Sequence, residues 1–173
     1  MKNLIIWVEE RPDTVSNQII FCRRMGFEVI TVGTAHRFAD ILKKEKDRVV
    51  LIIMDIMLFP VLSLEGIGIP NSATDDGYEA GWIIIERFLR SDDSPEVTDE
   101  YKHIPILVVT SKKLYDNDSA RLKAIKDRRG EGWIKYLEKH GINKEGILTW
   151  VEQFEDIIKN LMKELKMEVR NAG

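Results

Sequence analysis

The sequence predicts an α/β protein, a parallel β-sheet covered by helices on both faces. Three observations predict it. Five short runs are almost wholly apolar, as strands buried on both faces are. The segments between them carry apolar residues at helical spacing, and strands that alternate with helices are joined by right-handed crossovers into parallel sheets. Four of the five runs also end in or are followed by acidic, hydroxyl or basic residues, so chemistry collects at one end of those strands.

The elements follow in order. "NLIIWV" (3–8) is the first strand. From Pro12 to Met25 the residues Val15, Ile19, Ile20 and Phe21 recur at helical spacing, and Gly26 is a good helix stop. "FEVITV" (27–32) reads as a strand, and Thr34 is placed to cap a helix carrying Phe38, Ile41 and Leu42. "RVVLIIMD" (48–55) is the most hydrophobic strand. "GYEAGWIIIERFLR" (77–90) is helical, and a polar loop leads to the strand "IPILVVT" (104–110). A charged segment of helical character runs from roughly 112 to 129, reading mostly as a solvated face, and "GWIKYL" (132–137) is the last strand. The chain closes on a long helix at about 144–168, with Ile147, Val151, Phe154, Ile158, Leu161 and Leu165 forming a stripe of heptad character. The stripe must cover the sheet, and its overhang is a candidate homodimer contact.

Composition bounds the function. The 173 residues make one domain (1–173) with an extended loop at about 58–76. Hydrophobic residues are 44% and charged residues 32%, as in a globular protein with a substantial core. A net charge of -3 gives no reason to expect direct nucleic-acid binding. The single cysteine, Cys22, excludes an internal disulfide and any multi-cysteine metal site. The apolar start is too short for a signal peptide or membrane span, so no membrane association and a cytoplasmic location are expected.

The acids raise the functional question. Asp55 ends the greasiest run of the chain, and Glu9 and Glu10 end the first. A buried carboxylate costs several kcal/mol unless something pairs with it. In open parallel sheets, ligands bind beyond the carboxyl ends of the strands, at the switch point in strand order. Glu9, Glu10, Asp55, Thr110 and Lys139 all lie at such ends and would converge on one edge. Asp55 would there be half solvated and paired with Lys139.

With those pieces assembled, the chain resembles the receiver domain of two-component response regulators. "LIIWVEE", "LIIMDIML", "DDGYEAGWIIIERFLR", "IPILVVTS" and "YLEK" come in family order and cover most of the chain. The resemblance implies a flavodoxin-like, doubly wound sheet of order 2-1-3-4-5. It implies that Asp55 accepts a phosphoryl group, while Glu9, Glu10, Asp55 and the backbone carbonyl of Met57 hold Mg²⁺, a hard cation suited to oxygen ligands. It further implies that Thr110 and Lys139 contact the phosphoryl group and that Tyr136 is the switch aromatic. The partners implied are a sensor histidine kinase or phosphotransfer protein and a downstream protein. With no chain left for an output domain, a stand-alone receiver rather than an enzyme is expected.

Each residue also has a plainer reading: acids after a strand suit a helix N-terminus, and a lysine in "EKHGINK" is common. Three departures stand out. The acid pair is Glu-Glu where the family has at least one Asp, His140 follows Lys139 where the family has proline, and the loop after Asp55 is long. These motivate an alternative, a pseudo-receiver interaction module that no longer undergoes phosphotransfer. A phosphatase or Toprim-type enzyme on a related fold would want a second Asp two residues after the first, where Met57 stands.

Overall fold

A computed structural model of the chain describes residues 2–58, 73, 75, 77–90, 100–113, 115–126, 132–139 and 149–171. Five parallel strands form one sheet: β1 (Leu4–Val8), β2 (Glu28–Val32), β3 (Val49–Met54), β4 (Ile106–Thr110) and β5 (Ile134–Glu138), in the order β2-β1-β3-β4-β5. Among the described residues the main helices are α1 (Ser16–Arg24), α2 (Ala35–Glu45), α3 (Ala80–Ile84, continued by a π turn over Ile85–Leu89), α4 (Asp116–Lys126) and α5 (Thr149–Asn171). The expected doubly wound fold and strand order are therefore present.

Burial follows strand position. β1 and β4 are buried at every residue and β3 at all but Val50, whereas the edge strands are each fully buried at only two residues, Val29 and Val32 in β2 and Ile134 and Leu137 in β5. This is why "LIIWV" and "ILVV" are unbroken apolar runs while "EVITV" and "IKYLE" carry polar residues. Side chains of β1 divide between two cores, as the two-residue strand period requires. Leu4, Ile6 and Val8 pack with Phe38 and Leu42 of α2, Trp82 and Leu89 of the α3 segment, and Leu122 and Ile125 of α4. Ile5 and Trp7 pack on the other face with Ile19 and Cys22 of α1 and with Trp150, Phe154, Ile158 and Leu161 of α5. The Trp7 and Phe154 rings lie 5.5 Å apart.

Local signals act as the sequence indicates. The Thr34 hydroxyl accepts the Arg37 N–H at 3.3 Å, capping α2. Gly26 follows α1 with φ of 99°, a backbone state that suits glycine.

Several boundaries move for physical reasons. Pro12–Val15 forms a tight 3-10 turn before α1 rather than its first turn. The last strand begins at Ile134, where it pairs with Ile106, the first residue of β4; Gly132 before it lies against the backbone of His103–Pro105, where an added Cβ would sit 2.4 Å from the His103 carbonyl oxygen. The described part of the last helix starts at Thr149 and runs to Asn171, three residues beyond the expected end. Most of the 58–76 loop, together with His140 and Ile147, lies outside the described residues.

Arg90, with 0% of its surface exposed, closes the π turn. Its guanidinium donates to the carbonyls of Leu89 (3.0 Å), Tyr101 (3.1 Å) and Ile104 (2.6 Å), tying the end of the α3 segment to the chain entering β4. Charge-assisted bonds to carbonyls offset the cost of burying this cation.

Candidate functional site

Strand register builds the site. Val8 of β1 pairs with Met54 of β3, so Glu9 and Asp55 are the next residues on adjacent strands. Backbone bonds carry the ladder one step further: the Asp55 N–H donates to the Val8 carbonyl at 2.9 Å, and the Glu9 N–H to the Val32 carbonyl at 2.9 Å. On the other side the Lys139 N–H donates to the Thr110 carbonyl at 2.7 Å. Four strand ends thereby bring Glu9, Asp55, Thr110 and Lys139 to one edge, where the strand order reverses about β1 and β3.

The Lys139 ammonium bridges the two acids, with Nζ 2.6 Å from Glu9 Oε2 and 2.8 Å from Asp55 Oδ2. Asp55 is only 5% exposed and Glu9 3%. The expectation of a half-solvated Asp55 is thus corrected: it is buried, and its charge is met by Lys139. The other oxygens are also bonded. The Met57 N–H donates to Asp55 Oδ1 at 3.2 Å, and the Arg11 N–H to Glu9 Oε1 at 3.1 Å.

Two carboxylates on one ammonium leave a buried net negative charge. Burial, reinforced by the Asp55 charge, raises the Glu9 carboxyl above its ordinary 4.5 despite the opposing pull of Lys139. For Lys139 burial acts downward as the largest influence, but Asp55 and Glu9 together outweigh it and the ammonium is raised above 10.5. The two directions agree: the lysine is well compensated and Glu9 is not.

Glycine sets the position of Asp55. The Gly81 N–H donates to the Ile56 carbonyl at 2.9 Å, and a Cβ at Gly81 would fall 2.2 Å from the Asp55 carbonyl oxygen and 2.7 Å from the Ile56 Cα. Only glycine lets α3 approach the chain leaving β3 this closely.

No family model matches the sequence, and no curated protein matches it. Solved structures do. A signal receiver domain from Vibrio parahaemolyticus is similar with a TM-score of 0.54 at 13% identity, covering 100% of this chain and 99% of that one. A response regulator receiver domain protein from Clostridium thermocellum gives 0.54 at 15% identity over 95% and 98% of the two chains. The N-terminal domain of a response regulator receiver protein from Methanoculleus marisnigri JR1 gives 0.51 at 20% identity over 91% and 94%. The fold is that of a response-regulator receiver domain.

Within this receiver fold, the remaining expected residues are placed as follows. Thr110 is fully buried beside the acids, and its hydroxyl oxygen accepts the Lys112 N–H at 3.2 Å. Tyr136 is half-buried, its hydroxyl donates to the Lys112 carbonyl, and its ring is stacked on Trp82 with centroids 6.4 Å apart. Burial, with the charges of Glu138, Asp118 and Asp55, pushes the phenol up. Glu10 lies half-buried at the bend after β1. Among the described residues no three acidic, histidine or cysteine side chains gather for a metal, so Glu10 does not complete a set with Glu9 and Asp55. Glu9 and Asp55 nonetheless offer hard oxygen ligands with excess negative charge, which fits a divalent cation that keeps several waters.

The charged segment is mostly a solvated face, as expected, with Asp116, Asn117, Ser119, Ala120, Lys123 and Ala124 exposed; Lys112, Asp118 and Arg121 are its charged exceptions. Lys112 pairs with Glu79 and with Asp118, the latter at 3.3 Å, and Asp118 is only 4% exposed. Arg121 pairs with Glu79 and grips Glu86 with two nitrogens, at 2.8 and 3.1 Å. Pattern reading had no means of finding this cluster, since its members come from three separate segments.

Proposed function

We propose that this protein is a phosphoacceptor signalling receiver in which Asp55 takes a phosphoryl group and the altered surface changes binding to a partner protein. The observation that carries it is the convergence of Glu9, Asp55 and Lys139, joined by Nζ contacts of 2.6 and 2.8 Å, at the switch point of a receiver fold. An ionised carboxylate needs no general base. Its oxygen forms the new O–P bond as the donor's N–P or O–P bond breaks, and the electron pair leaves with the donor. Lys139 would meet the charge of the phosphoryl oxygens, and Thr110 would offer its hydroxyl hydrogen, which the bond accepted from the Lys112 N–H leaves free.

Mg²⁺ is the cation this chemistry takes. Glu9 and Asp55 would hold it, with Glu10 and the Met57 carbonyl as the outer candidates, and it supplies charge neutralisation at the phosphoryl group. The donor would be a sensor histidine kinase or a phosphotransfer protein. The protein would act as a signalling domain rather than as an enzyme turning over an external substrate.

One observation favours a second reading, an interaction module on the receiver fold without phosphotransfer: among the described residues no third acid joins Glu9 and Asp55. Incubation with Mg²⁺ and acetyl phosphate, followed by intact mass, separates the two. The phosphoacceptor reading expects one added phosphoryl group, abolished in Asp55→Asn. An unchanged mass and an unchanged NMR spectrum with beryllofluoride support the second.

A further inference from the structure

Residue 112 is held by all three of its polar groups. Its N–H donates to the Thr110 hydroxyl oxygen, its carbonyl accepts from the Tyr136 hydroxyl, and its ammonium lies between Glu79 and Asp118. Both anions are anchored in turn. Asp118 accepts the Tyr115 N–H at 3.2 Å at the start of α4, and Glu79 is braced by Arg121 of the same helix. Glu79 immediately precedes α3, whose Gly81 rests on the backbone of Asp55 and Ile56. One lysine therefore ties the end of β4, the Tyr136 ring, α4 and the support of Asp55 together.

We propose that Lys112, clasped by Glu79 and Asp118, is an ionic latch that holds α4 and Tyr136 in their resting arrangement, so that loss of one charge releases them with Asp55 unmodified. A turn of Thr110 about its Cα–Cβ bond toward a group on Asp55 carries the hydroxyl oxygen away from the Lys112 N–H, and the backbone at 112 shifts with it. That backbone shift pulls on the carbonyl that receives Tyr136, and the ion cluster supplies the restoring force. The cluster is partly exposed, so salt weakens it. The trigger rests on the phosphoacceptor reading; the latch does not, and it is tested without any phosphodonor.

The test uses the full chain labelled with 3-fluorotyrosine, with Tyr136→Phe assigning the Tyr136 signal. Hydrogen exchange by mass spectrometry is followed across the chain in wild type, Glu79→Gln, Arg121→Gln and Lys46→Gln. The last breaks the Lys46–Glu100 pair elsewhere on the surface. In Glu79→Gln, amides of 111–126 are expected to exchange about three- to tenfold faster. The Tyr136 signal moves while β1 and β3 keep their protection. Arg121→Gln and high salt on the wild type change both in the same direction, and Lys46→Gln changes neither. A Tyr136 signal unmoved in both Glu79→Gln and Arg121→Gln overturns the latch. So does acceleration spread evenly over the chain, or an equal response in Lys46→Gln. Failure of Asp55 to accept phosphate would leave these results unaffected.

Discussion

Lys139 is the residue on which the buried acids depend. Its ammonium is the shared partner of Glu9 and Asp55, and removing one member of a buried ion pair leaves an uncompensated charge. Lys139→Met is expected to lower unfolding free energy by about 3–5 kcal/mol, read by urea denaturation at pH 7. The pH dependence has a definite sign. Because the folded value of Lys139 is raised, its contribution is complete below pH 10.5 and is lost as pH rises through the folded value. The raised Glu9 acts in the opposite sense: its charge costs stability at neutral pH, and the cost is recovered as pH falls through the raised value toward 4.5. Wild type should therefore lose stability above pH 10.5 by an amount that Lys139→Met no longer shows. Identical alkaline limbs in the two proteins would remove Lys139 from this role. The pairing of Lys139 with Asp55 was legible from the sequence as two strand-end residues of opposite charge. The sharing with Glu9 was not, because it depends on the register Val8↔Met54.

At the scale of elements, α3 bears on the site through its backbone. Gly81 lets the first turn touch the chain leaving β3, and a methyl group there meets backbone atoms that have no rotamer to escape into. Gly81→Ala is expected to cost about 3 kcal/mol or more and to shift the backbone resonances of 55–57, while an alanine on the exposed side of α1 at Asn17 leaves both nearly unchanged. A silent Gly81→Ala would mean that α3 does not set the position of Asp55. The sequence marked this stretch as a helix from its apolar spacing, yet nothing local distinguishes Gly81 from a tolerated helical glycine. Its need for glycine comes from a neighbour more than twenty residues earlier in the chain. In the charged segment one residue is hidden from the sequence for the same reason: Lys112 looks solvated until Glu79 and Asp118 are brought against it.

For the whole molecule, the buried excess negative charge at the switch point predicts linkage between cation binding and folding. Mg²⁺ binding to the native state alone raises stability by about 2.7 kcal/mol at a hundred times its Kd. In a chain of this length that is a rise of roughly 5–10 °C in Tm. Calorimetry with and without Mg²⁺ should show the rise in wild type and lose it in Glu9→Gln. No rise in wild type would favour the interaction-module reading. Among the described residues no helix is long and apolar enough to cross a membrane.

The sequence by itself determined the sheet and its covering. Short apolar runs alternating with helical segments specify a parallel sheet covered on both faces, because strands buried on two faces exclude polar residues, whereas the strand order came with the family resemblance. It also placed acids, hydroxyl and lysine at strand ends. Only the tertiary structure decided what those ends do to one another. Register set Glu9 beside Asp55, Lys139 took both, Glu10 stayed outside, and the charges of α3 and α4 closed around Lys112. Strand character is a local property of composition, whereas an ion pair is fixed by distances of a few ångströms between segments remote in the chain.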